Sequence, residues 1–153
     1  MDMLWHYTVG ENWELIRENG VLIPGFNNPF IPKGERPANW FTTNQEYEST
    51  IGKVYYCDGR IVGYTTRQDL IDDCGGLVRI GVAPETAPHD WNEFKRLSGI
   101  QPKLARGLYN SAIEQGSRPR DWRVTFDPVP QSAWLSVEFW NGAWRPDRQL
   151  QAA

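Results

Sequence analysis

The chain is poor in the residues from which metal sites and disulfide frameworks are built, with two cysteines and two histidines among 153 residues. Cys57 and Cys74 stand in no Cys-x-x-Cys or other ligand spacing, and His6 and His89 lie far apart in the sequence. We therefore predict no metal site, and we do not expect a structural disulfide.

Long apolar runs and phosphate-binding loops are also missing. No run approaches the ~20 apolar residues of a membrane span, and the opening MDMLWHY lacks the basic and apolar regions of a signal peptide. The glycines never form GxGxxG or GxxxxGK[ST], which argues against a Rossmann or P-loop nucleotide site. The sequence therefore predicts a soluble, cytoplasmic protein with no membrane partner.

Net charge is small, while aromatic residues are plentiful. The formal charge of −3 argues against a broad surface for nucleic acid, although it leaves room for a local basic cleft. Aromatic residues make up 13% of the chain and include eight tryptophans. Such rings serve either as packing or as flat surfaces for bases and nicotinamide, and composition does not separate the two uses.

Hydrophobic patterning predicts one compact α+β domain over residues 1–153, with a largely antiparallel sheet flanked by short helices. The predicted strands cover residues 3–8, 21–24, 39–43, 61–64, 77–82, 122–126 and 133–140. Helices are predicted after a Thr8/Glu11 capping box, over 44–50, after Thr66, after Asp90 and from Pro102 to Gly116. Residues 25–37 are rich in Gly, Pro and Asn, which indicates a long loop of the kind that borders a site.

The late segment AWLSVEFW places a carboxylate between two indole rings. Strict alternation assigns Ala133, Leu135, Val137 and Phe139 to one face, and Trp134, Ser136, Glu138 and Trp140 to the other. We interpret the first set as core. Glu138 then lies either on the solvent side of an antiparallel sheet or on the floor of a cleft, where it would act as a general base or stabilise a cation.

The opening segment LWHYT contains His6, for which two interpretations remain open. Within a strand, an imidazole most often has a structural role because it carries both a donor and an acceptor to satisfy. The alternative is that His6 takes part in chemistry, although no nucleophile motif such as GxSxG accompanies it.

The order of short motifs along the chain resembles the diphtheria-toxin-type ADP-ribosyltransferases and related transferases of that fold, with their His-Tyr-Glu arrangement. The matching pieces are LWHYT, ENGVLIP, NWFTTNQEYEST and WLSVEFW, which together extend over most of the chain. The resemblance implies a split antiparallel sheet and NAD as substrate.

Carried over by position, the resemblance assigns a role to each matched residue. Glu138 would be the catalytic carboxylate, and His6 would hydrogen-bond a ribose hydroxyl of NAD beside the Tyr7 backbone and Thr8. Trp40 and Tyr47 would sandwich the nicotinamide, with Phe41 and Thr42 completing the NAD-binding set.

Two further charged residues compete for a role in that site. Glu48 is a rival for the acid, and we favour an exposed position for it on a short polar helix. Arg79 has the planar donor fork that suits a phosphate, and we favour a simple pair with a surface acid.

We therefore expect an NAD-binding ADP-ribosyltransferase-like protein that transfers ADP-ribose to a protein or nucleic-acid acceptor, or that cleaves NAD. One alternative is a non-catalytic module of the same fold that binds a nucleotide or nucleotide-derived signal. Another is a protein-interaction role, such as a toxin or inhibitor in a bacterial or phage conflict system, which exposed tryptophans would favour.

Overall fold

A computed structural model describes residues 2–26, 31–52 and 54–146, with backbone alone for 54–57, 61 and 62. Its strands are β1 (Leu4–Val9), β2 (Val21–Leu22), β3 (Asn39–Thr42), β4 (Val54–Cys57), β5 (Arg60–Tyr64), β6 (Leu77–Val82), β7 (Trp122–Thr125), β8 (Val129–Pro130), β9 (Ser136–Trp140) and β10 (Trp144–Pro146). Its helices are α1 (Gly10–Asn19), α2 (Arg67–Asp73), α3 (Trp91–Ser98) and α4 (Pro102–Glu114). In the described part of the chain, no helix has the length and apolar character needed to cross a membrane.

The architecture is α+β, built on a six-stranded antiparallel sheet in the order β10-β9-β6-β1-β3-β7. Two small two-stranded sheets, β2-β8 and β4-β5, accompany it. The prediction of a largely antiparallel sheet flanked by short helices is confirmed. At the outer edge of β7, the backbone of His89 exchanges two hydrogen bonds with Val124.

Strand register sorts the central residues onto two faces. His6 stands opposite Ile80, whereas Tyr7 stands opposite Arg79. Arg79 in turn stands opposite Glu138 on β9. Because directly opposed residues of antiparallel strands share a face, Tyr7, Arg79 and Glu138 lie on one side of the sheet and His6 lies on the other.

Each face carries its own hydrophobic cluster. On the His6 side, α1 buries Trp13 and Ile16 against Val78 and Ile80 of β6. On the opposite side, α3 packs against β7 and α4 packs against the 3-10 turn Pro119–Asp121. The buried members of this second cluster are Ala38, Trp91, Phe94, Ala105, Ala112, Trp122 and Val124.

Several helix ends are set by local sequence signals, and the predicted helix starts after Thr66 and Asp90 are confirmed. Gly20 ends α1 with φ 69°, a left-handed conformation that glycine adopts without steric cost. Thr66 and Asp69 form a reciprocal capping box at the start of α2, and Asp90 caps α3 by accepting from the Glu93 amide. These features depend on a few adjacent residues, which is why sequence predicts them.

The capping box predicted for Thr8 and Glu11 is wrong. Thr8 stays in β1, where it pairs with Val78, and Val9 precedes α1 without a side-chain cap. The helix predicted over 44–50 is also wrong. The Asn44 side chain instead accepts from the amides of Glu46 and Tyr47, which is an Asx-type turn, and a 3-10 turn follows at Ser49–Ile51.

The packing face predicted for residues 133–140 differs from the structure. β9 begins only at Ser136, so Leu135 is 62% exposed and Trp134 packs on Trp13, 5.7 Å between ring centroids. In α4, Leu104 and Leu108 are exposed, because Ala105 and Ala112 form the buried face. Parts of two other predictions, residues 27–30 of the 25–37 loop and the Cys57 side chain, lie outside the described residues. Cys74 is a free thiol.

Gly10→Ala is expected to destabilise the protein by about 1–3 kcal/mol. A Cβ at Gly10 would lie 2.1 Å from the carbonyl oxygen of Gly75, so α1 would have to move and stretch the 2.9 Å bond from the Gly10 amide to Gly76. Gly107→Ala, inside α4, is the matched control. No atom of the described residues lies within 4 Å of its added Cβ, so this substitution should stabilise the protein by about 0.5–1 kcal/mol. Urea denaturation of both variants measures the difference, and a stable Gly10→Ala would contradict this helix position.

Candidate functional site

The central sheet is open between β1 and β3. β1 pairs with β6 along all six of its residues, but with β3 only at Trp5 and Thr42. Beyond that pair a side chain replaces the backbone ladder, because Nδ1 of His6 lies 2.8 Å from the carbonyl oxygen of Trp40. The opening therefore results from two strands that meet at one end only.

A cavity of about 460 Å³ adjoins this opening. That volume is within the range typical of small-molecule sites. Both strands line it, at residues 5–9 and 38–42, together with the loop over 31–37 and parts of α1 and α3. Most of its surface is apolar or aromatic. Its titratable and amide side chains are those of His6, Tyr7, Asn12, Glu35, Arg36, Asn39 and Glu48.

His6 is held as a neutral imidazole with a defined tautomer. Burial lowers its pKa, an effect larger than the opposing effect of the Trp40 hydrogen bond. Because a carbonyl oxygen only accepts, Nδ1 must carry the proton, which leaves a lone pair on Nε2. Among the described residues nothing hydrogen-bonds Nε2. His6 therefore offers the cavity a fixed, neutral acceptor.

The lowered pKa of His6 makes stability depend on pH. Below the ordinary value of 6.5 the unfolded chain takes up a proton at His6 that the folded protein does not. The contribution of neutral His6 to the free energy of unfolding is thus complete above pH 6.5. It is lost as pH falls from 6.5 towards the pKa of His6 in the folded protein. We expect a slope of up to about 1.4 kcal/mol per pH unit there, reduced in His6→Asn. Urea denaturation between pH 7.5 and 5 measures the free energy of unfolding of the wild type and of His6→Asn. The same pH dependence in both proteins would contradict this prediction.

Glu48 is buried in the cavity wall, which contradicts the expected exposed position on a polar helix. Its carboxylate accepts from the Thr50 amide and hydroxyl, from Ser117 Oγ at 2.6 Å and from Trp122 Nε1 at 3.2 Å. Among the described residues no cation pairs with it. Four neutral donors thus hold this carboxylate in place.

Glu138 does not share a cleft with His6. It lies on the opposite face of the sheet and outside the cavity lining. Oε1 of Glu138 accepts from Nε of Arg79 at 2.8 Å and from Nη2 at 2.5 Å, and both side chains are less than one-fifth exposed. The predicted His6–Glu138 cleft is therefore wrong as geometry, because one residue of register separates the two sides of a pleated sheet. Arg79 does pair with an acid, but that acid is largely buried.

The two rings predicted to sandwich a ligand are also apart. Trp40 packs on Phe94 and Trp122, at 4.5 and 5.4 Å between centroids. Tyr47 instead packs on Tyr7 and is absent from the cavity lining. The remaining candidates, Tyr7, Thr8, Phe41 and Thr42, do line the cavity. The Tyr7 hydroxyl donates to the Asn44 carbonyl, and burial raises the pKa of Tyr7 to about 12.

Sequence reasoning missed several polar residues of the cavity, among them one on a helix and two on a loop. Asn12 lies on α1, while Glu35 and Arg36 lie on the loop that was expected to border a site. Partial burial raises the pKa of Glu35. The Gly- and Pro-rich composition identified the loop, but without periodicity it gave no signal for which side chains face inward.

Comparisons of this chain with protein-family models, curated proteins and solved structures found no match. No group of three or more His, Cys, Asp or Glu suited to a metal ion occurs within the described residues. Function must therefore be inferred from the cavity and its side chains.

Proposed function

We propose that the protein binds NAD in the cavity beside His6 and cleaves the nicotinamide–ribose bond, passing ADP-ribose to a macromolecular acceptor or to water. The observation that carries this proposal is the half-buried, neutral His6, which is tied through Nδ1 to Trp40 and whose Nε2 lone pair accepts no hydrogen bond from the described residues. A ribose hydroxyl donates well to such a nitrogen. The order of LWHYT, NWFTT and their neighbouring motifs supports the same assignment from sequence.

The other polar groups of the cavity suit the remaining parts of NAD. Arg36 offers a cation for the diphosphate, and its guanidinium lies 4.2 Å from the centre of the Phe126 ring. The apolar and aromatic wall around Trp40 and Phe41 suits a flat nicotinamide ring. A largely apolar cavity with a few fixed polar groups is typical of cofactor and nucleotide sites.

Glu48, rather than Glu138, is the carboxylate available for the chemistry. The bond between the nicotinamide nitrogen and ribose C1′ breaks with its electron pair on nicotinamide, and positive charge develops on the ribose. A carboxylate already held by four donors stabilises that charge without reorganising. The acceptor then bonds C1′ and releases a proton, for which Glu35, with its raised pKa, is the nearby base.

Binding of a nucleotide without cleavage is the second candidate function. It is favoured by the engagement of Glu138, the late-strand acid, with Arg79 outside the cavity. Under this alternative the same cavity, with His6 and Arg36, holds the ligand and releases no nicotinamide.

Titration of NAD with detection of tryptophan fluorescence, followed by an assay for free nicotinamide, tests both candidates. We expect saturable quenching in the wild type. The affinity for NAD should be about tenfold weaker in His6→Gln, because one hydrogen bond is lost. Nicotinamide release should fall by about 100-fold or more in Glu48→Gln with binding retained. His89→Gln is the matched control, since the other histidine lies outside the cavity lining.

The outcomes separate the candidates. Quenching without nicotinamide release supports the binding module and contradicts the enzyme. Equal affinity in His6→Gln and the wild type would contradict both, because both place the ligand against His6.

A further inference from the structure

A second concave surface lies between α3 and α4, in the most basic stretch of an acidic chain. The protein has 19 acidic and 16 basic residues, yet residues 94–113 contain no Asp or Glu. The basic residues of that stretch are Lys95, Arg96, Lys103 and Arg106. The stretch from 94 to 113, which covers most of both helices, therefore carries a local positive charge.

The turn between the helices brings three of these four cations around one groove. α3 ends at Gly99, whose φ of 76° reverses the chain, and Pro102 begins α4. The resulting groove has a volume of about 690 Å³. Lys95 and Arg96 line it from α3 and Arg106 from α4, and all three side chains are exposed.

Within the part of the chain that the structure describes, none of these three cations has an acidic partner. The ion pairs of the described residues lie elsewhere, and Glu93, the acid on α3, pairs with His89. Three unneutralised like charges around one concavity attract anions and raise their local concentration. The groove therefore favours a ligand that carries several negative charges.

Aromatic rings and amides occupy the same groove. Trp91 lines the bottom of the groove, and Nζ of Lys95 lies 5.8 Å from the centre of its ring. The ring centroid of Tyr109 lies 6.4 Å from that of Trp91, and Tyr109 is 44% exposed. The exposed side chains of Asn92 and Asn110 also line the groove. An exposed ring stacks on a base, and amides offer both donors and acceptors to base edges.

We propose that this groove binds single-stranded nucleic acid, with backbone phosphates at Lys95, Arg96 and Arg106 and a base stacked on Tyr109. An acidic peptide would use the same cations but would leave the exposed ring and the two amides unused. The groove is distinct from the cavity that contains His6, although Ile100 lines both. Binding here does not depend on the proposed NAD chemistry.

Fluorescence anisotropy with a 5′-labelled 20-nucleotide oligothymidine tests the proposal. We expect saturable binding. The logarithm of the association constant should fall linearly with the logarithm of the salt concentration, with a slope of about −2, because three cations each contact one phosphate and each contact contributes about −0.7. The double variant Arg96→Gln/Arg106→Gln should weaken binding at least tenfold. It should also reduce the magnitude of that slope to less than about 1. Tyr109→Leu should weaken binding by about fivefold or more without changing the slope.

A charge-matched control removes two cations elsewhere. Arg17→Gln/Arg60→Gln changes the net charge equally, but these residues lie on α1 and β5, outside the groove lining. Equal weakening in both double variants would overturn the proposal, because net charge alone would then explain binding. Displacement of the oligonucleotide by polyglutamate at equal charge concentration would also overturn it, in favour of an acidic polypeptide partner.

Binding in the groove and function of the cavity are separated by one more variant. His6→Gln should bind the oligonucleotide with wild-type affinity, since His6 does not line the groove. Loss of oligonucleotide binding in His6→Gln would overturn the assignment of two distinct sites.

Discussion

Arg79→Met is expected to lower the free energy of unfolding by about 3–5 kcal/mol. Arg79 donates to Glu138 through two nitrogens and to the Gln45 carbonyl through Nη1 at 2.6 Å. Its guanidinium also lies 3.7 Å from the centre of the Trp5 ring and 4.7 Å from that of Trp144. Removing the cation leaves the Glu138 charge largely buried without a partner, and that desolvation cost dominates the loss.

Urea denaturation with near-UV circular dichroism measures this loss. Arg17→Met is the control, because the Arg17–Glu14 pair is more than half exposed and should change stability by about 0.5 kcal/mol or less. The double variant Arg79→Met/Glu138→Leu should recover most of the loss, since an apolar pair has no charge to desolvate. If the double variant is as unstable as Arg79→Met, the unpaired Glu138 charge is not the cause.

Glu48→Ala is expected to destabilise the protein by about 3 kcal/mol or more, the second large effect. The substitution removes the acceptor of three buried or half-buried side-chain donors, those of Thr50, Ser117 and Trp122, and of the Thr50 amide. It also leaves a cavity in the wall that joins residues 48–51 to the start of β7.

Thermal and urea denaturation of Glu48→Gln and Glu48→Ala test this network. Glu48→Gln keeps one acceptor oxygen and should lose about half as much stability as Glu48→Ala. Glu46→Ala is the matched control, because its backbone rather than its side chain makes the bonds seen at this turn. Wild-type stability in Glu48→Ala would show that the four donors find water as readily as the carboxylate.

Elements set by neighbouring residues were predictable from sequence. β1, the end of α1 at Gly20 and the cap of α2 at Thr66 each depend on a few adjacent positions. The turn at Asn141 and Gly142 between β9 and β10 was predictable for the same reason.

The hydrogen bonds and ion pairs of the site were not predictable from sequence, because they join residues that are far apart in the chain. Glu48 meets Ser117 and Trp122 across 69 and 74 residues, and Arg79 meets Glu138 across 59. Alternation placed the polar residues of each strand on a common face, but only the register between strands decides which faces coincide. The strands that carry His6 and Glu138 were predicted, but the two residues lie on opposite sides of the sheet.

The backbone at the outer edge of β7 has a consequence for how these molecules behave at high concentration. An unpaired sheet edge normally offers amide hydrogens to which another chain adds as a new strand. Here the Val124 amide donates to His89 and the Trp122 amide donates to Pro119, so the outward-facing donors of this four-residue strand are already used. The β7 edge cannot template strand addition, which protects this side of the sheet from edge-to-edge aggregation.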